Sequence, residues 1–247
     1  MMRIFDVLWV WGGLASWAFS APIESKSIVE KCQSPIKAQL TQIENPSMDL
    51  EKTVELVRLS FYLGRCAFEE NEMDEAVKFF EKGLEIAENA LETQTTSHWP
   101  LVFWWGANKG SIADIKRNLG ALKTIKTVEE KMLQMREENP DYGFSGPNRV
   151  LGKIYHKAPR FISIGSTSKA EEALKLAYQK FPQFPGNAIS LAEFYAEEGK
   201  LEEVKKIIAP FLSGDLIEKG DFGMFNAEKT GWLKTVKTLE KKLGDTK

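Results

Sequence analysis

His98 and His156 are the only imidazoles in the 247-residue chain. Neither lies at a spacing that builds a metal site or sets a base beside a nucleophile. Ser97 and His98 are adjacent, so their side chains diverge. The sequence holds no phosphate-binding loop, no paired-glycine fingerprint and no Cys-x-x-Cys. Carboxylates are plentiful, but pairs such as Glu171-Glu172 fall on polar helix faces and read as solvated surface. The residue types therefore point to binding rather than catalysis, with no cofactor and no metal.

Cys32 and Cys66 are the two cysteines, and in an oxidising compartment they admit one disulfide. If a helix begins at Ser34-Pro35, the extended chain before it carries Cys32 roughly 20 Å from the Asn45-Pro46-Ser47 turn. Helical Cys66 lies about 24 Å from that turn on the other side, so a bridge is feasible. An alternative helix start at the capping box Ser27-x-x-Glu30 places Cys32 inside a helix and spoils the match. Both arrangements stay open, as does a pair of unbridged thiols.

Binding chemistry concentrates in two places. Trp99-Pro100-Leu101-Val102-Phe103-Trp104-Trp105 packs three tryptophans into seven residues. Pro100 suits a first helical turn; Leu101, Trp104, Trp105 and Asn108 then share one face, while Val102, Phe103 and Gly106 cover the other. A helix apolar all round is either buried or offers part of its aromatic face to a ligand or partner, with Asn108 and Lys109 as polar contacts. The second place is Gly143-Phe144-Ser145-Gly146-Pro147-Asn148-Arg149. It sets the start of a helix and puts Arg149 in its first turn, where the dipole disfavours a cation by a few tenths to ~1 kcal/mol. A compensating carboxylate or a bound anion is expected there. Asn148 and Tyr155 flank Arg149 as further binding candidates.

The elements that must position these residues are helices. A tetratricopeptide unit sets small residues where two antiparallel helices touch, repeating every 34 residues or so. Residues 57–90 fit, with Leu63-Gly64 on the first helix, a turn over Asn71–Asp74, and Ala76, Phe80 and Gly83 on the second. A poorer copy covers 99–140, with Trp105-Gly106 as the pair and Leu122, Ile125, Val128 and Met132 along a long second helix. A further unit spans 146–182, with Leu151-Gly152 and Tyr155, then Ala170, Leu174 and Ala177. Its loop, Lys157 to Gly165, is six residues longer than the repeat requires, and Ser168-x-x-Glu171 caps the next helix. The last unit, 186–212, has Leu191-Ala192, Tyr195, a turn at Gly199, and Val204, Ile208 and Phe211, with Pro210 bending its end. A polar helix over 226–243 reads as the terminal cap. The expected fold is all-α, with tetratricopeptide-like helical hairpin repeats stacked into a compact superhelical array, one domain over residues 21–247.

Residues 1–20 read as a signal peptide, with Arg3, an apolar run from Val7 to Phe19, and Ala18 and Ser20 as the small residues before cleavage at Ala21. Retention of this run as an anchor is the alternative. No lipobox precedes Cys32, so the expected location is the periplasm without a lipid anchor. A formal charge of −2 does not advertise nucleic acid.

Taken together, Trp104-Trp105-Gly106-Ala107, the stretch Gly146-Pro147-Asn148-Arg149-Val150-Leu151-Gly152-Lys153-Ile154-Tyr155, Ala158-Pro159, Ser168-Lys169-Ala170, and Gly186-Asn187 ahead of Leu191-Ala192-Glu193 resemble the T-component proteins associated with TRAP transporters. The resemblance implies an all-helical subunit that associates with the transporter's periplasmic substrate-binding protein. It also implies a homotrimer with hydrophobic clefts or pores that handle a small, apolar organic ligand. A generic peptide-binding repeat scaffold of the cell envelope is the other reading. The two differ in surface: an enclosed apolar cleft near Trp104, Trp105 and Tyr155, or an extended polar groove.

Overall fold

The computed structural model describes residues 49–94 and 98–244. Residues 1–20, expected to be a signal peptide, and Cys32 lie outside the described residues, so the disulfide question does too. The described residues form helices and no strand. In chain order these are α1 (Leu50–Glu69), α2 (Met73–Glu92), α3 (Trp99–Lys116), α4 (Leu119–Glu138), α5 (Tyr142–Lys157), α6 (Thr167–Lys180), α7 (Pro185–Glu197), α8 (Leu201–Ile208), α9 (Asp215–Lys219) and α10 (Lys229–Gly244). They divide into two compact units, with the boundary between Met135 and Arg136, inside α4.

In the first unit α1, α2 and α3 pack mutually. The buried residues of α1 include Val57, Ser60, Leu63, Gly64 and Ala67, and those of α2 are Ala76, Phe80, Gly83 and Ala87, both at helical spacing. Gly64 is a point of close approach: a Cβ there would stand 2.5 Å from the Phe80 ring. The turn between the two helices is closed by Asn71 at φ 65. Asn71 N donates to Phe68 O and Glu72 N to Ala67 O, the paired bonds of a helix ending in a left-handed residue. Asn can occupy that conformation because its short polar side chain tolerates it better than a branched one.

The second unit repeats parts of this construction. A Cβ on Gly152 of α5 would stand 2.5 Å from Leu174 Cγ on α6. Helix α7 ends as α1 does, with Gly199 at φ 73 and Lys200 N donating to Tyr195 O. Pro210 falls in a short 3₁₀ turn, Ala209–Phe211, that continues α8 past Ile208. Helix α10 buries Trp232, Val236 and Leu239 and packs on α7 and α8.

One local expectation is corrected. The cap of α6 is Ser166, whose Oγ accepts from Lys169 N at 3.3 Å, and Ser168 lies inside the helix. The start of α5 is built on a left-handed turn, with Gly143, Phe144 and Ser145 at φ 61, 57 and 60. Each non-glycine residue in that region costs about 1–2 kcal/mol, so the turn needs contacts that hold it.

Candidate functional site

The aromatic helix α3 begins at a cap supplied by His98, whose Nδ1 accepts from Leu101 N at 3.4 Å, with Pro100 in the first turn. That gives one of the two histidines a structural task. Leu101 through Gly106 are all buried. Trp104 is 1% exposed, and its ring meets Phe61, Tyr62 and Phe103 at centroid distances of 5.6, 5.6 and 5.2 Å. It therefore fills the core of the first unit and presents no face to a ligand.

Trp105 and Lys109 converge on Glu88 of α2. Trp105 Nε1 donates to Glu88 Oε1 at 3.1 Å, Lys109 Nζ approaches the same oxygen at 2.9 Å, and the ammonium lies 4.7 Å from the indole centroid. Burial alone would raise the Glu88 pKa, but the hydrogen bonds from Lys109 and Trp105 and the Lys109 charge outweigh it and hold it below its ordinary value. Asn108 is fully buried. Its Nδ2 donates to Trp104 O at 2.8 Å and to Val57 O at 3.2 Å, tying α3 to α1. Its Oδ1 has no hydrogen-bond partner and lies where a Cβ on Gly83 would come within 2.7 Å. Gly83 is thus fixed by the amide of Asn108.

Arg149 is the hub of the second unit. Its Nη1 donates to Gly143 O at 3.0 Å, Phe144 O at 3.2 Å and Asn187 Oδ1 at 2.8 Å. The guanidinium lies 4.9 Å from the Phe184 centroid and 5.3 Å from that of Phe225. Asn187 Nδ2 in turn donates to Phe144 O and to Ala177 O, both at 2.9 Å. Phe144 stacks on Phe184 at 4.4 Å and 10°. The left-handed turn is thus clamped on its carbonyls by Arg149 and Asn187 and on its side chain by a ring. Carbonyl dipoles and aromatic faces inside the chain contribute to balancing the Arg149 charge.

Asn148 is buried beside it, with Nδ2 donating to Ser145 Oγ at 3.0 Å and Oδ1 without a hydrogen-bond partner. Tyr155 is buried under Lys169, whose Nζ lies 5.2 Å from the ring.

The structure assembles Trp105, Lys109 and Glu88 into one group and Arg149, Asn148 and Asn187 into another. Trp104, Asn108 and Tyr155 belong to cores. Reading the sequence missed Asn187 as a hydrogen-bonding residue, although Gly186-Asn187 had already marked a unit boundary. Nor did it show the partners of His156, whose Nε2 lies 3.0 Å from Glu197 Oε2 while its ring stands edge-on to Phe194 at 5.0 Å. A shallow hollow at the α1–α2 turn is lined by Asn71, Glu72, Met73, Asp74, Glu75 and Lys78 and is polar.

Among the described residues no group of three or more His, Cys, Asp or Glu is placed to hold a metal ion. No helix among them is long and apolar enough to cross a membrane. No protein-family model matches the chain, and no curated protein matches it.

Proposed function

We propose that this protein is an exported, tetratricopeptide-like binding protein that associates with the substrate-binding protein of a TRAP-type transporter, as the T components it resembles do. The observation that carries this reading is the Arg149–Asn187 hydrogen bond at 2.8 Å. The stretch that carries the resemblance most specifically, Gly146–Tyr155, meets Gly186-Asn187 there in one buried junction. They form a single element of construction. The small-on-large contacts at Gly64 and Gly152 support hairpin units of a common type.

Of the aromatic residues expected to line a ligand cleft, Trp104 and Tyr155 are buried in cores and Trp105 is hydrogen-bonded to Glu88, so the reading rests on contact with a protein partner more than on a small apolar ligand. The test is capture of the full chain from the cell envelope, followed by native mass spectrometry with a purified substrate-binding protein encoded beside it. A stoichiometric complex is expected. A partner-free monomer at concentrations well above 10 μM would count against the proposal, because a specific pair should associate at least this tightly.

A further inference from the structure

We draw no further inference here: the strongest candidate, the buried side-chain cluster at the start of α5 where Asn148 Oδ1 has no hydrogen-bond partner, belongs to the Arg149 junction already described, where the residues from Ser145 to Arg149 are all buried.

Discussion

Asn187 Oδ1 accepts from the Arg149 guanidinium at 2.8 Å while Asn187 Nδ2 donates to the carbonyl of Phe144, which Arg149 also contacts. One amide and one guanidinium thus hold a backbone turn that three consecutive left-handed residues would otherwise open. Removing Arg149 takes a donor from Gly143 O, Phe144 O and Asn187 Oδ1, and removing Asn187 takes an acceptor from Arg149 and a donor from Phe144 O, so either change loosens the clamp on the turn. Arg149→Met and Asn187→Ala should each lower stability by about 2–3 kcal/mol in urea denaturation. The double variant should lose less than the two single losses combined, by about 1 kcal/mol or more. Full additivity would mean that the two side chains act separately.

Gly64, Gly83 and Gly110 lie in helices but predict opposite outcomes. A Cβ at Gly64 meets the Phe80 ring at 2.5 Å, and at Gly83 it meets Asn108 Oδ1 at 2.7 Å, whereas at Gly110 nothing lies within 4 Å. Gly64→Ala and Gly83→Ala should cost about 1–3 kcal/mol by overpacking. Gly110→Ala should gain up to about 1 kcal/mol from helix propensity. Trimming the ring with Phe80→Leu should recover part of the Gly64→Ala loss, and thermal melts of the four proteins read this directly.

Trp104 and Trp105 are neighbours with different duties. Trp104→Ala empties a space enclosed by Phe61, Tyr62 and Phe103 and should cost about 3–5 kcal/mol. Trp105→Phe keeps a ring but removes the Nε1 donor to Glu88, and should cost about 1 kcal/mol. A folded Trp104→Ala protein of wild-type stability would show that the ring is not core.

Glu171 gives a pH signature. Hydrogen bonds from Lys175 and Lys200, with a further one from Tyr195, outweigh burial and lower its pKa from 4.5 to about 2. A carboxyl with a depressed folded pKa contributes stability above its unfolded value, and loses it as pH falls through the folded value. The stability gap between the wild type and Glu171→Gln should be present at pH 7, about 1 kcal/mol for a partly solvated cluster. It should shrink steadily from about pH 4.5 toward pH 2. A gap independent of pH would leave the cluster without an energetic role.

The sequence by itself determined the helices and several of their contacts. Apolar spacing and turn residues marked α1 and α2 with their Asn71 turn, and small residues such as Gly64 and Gly152 marked where helices touch, because these depend on neighbours a few positions away. It also showed that Trp99–Trp105 had to be buried or bound. Only the tertiary structure decided between those alternatives. The partners of Asn108 and Arg149 are Val57 O, 51 residues away, and Asn187, 38 residues away. A backbone carbonyl leaves no mark in the sequence, so a buried polar residue satisfied by one looks the same as a residue awaiting a ligand. Phe161 and Ile162 show the converse: their type predicts burial, and only the fold reveals that both are exposed.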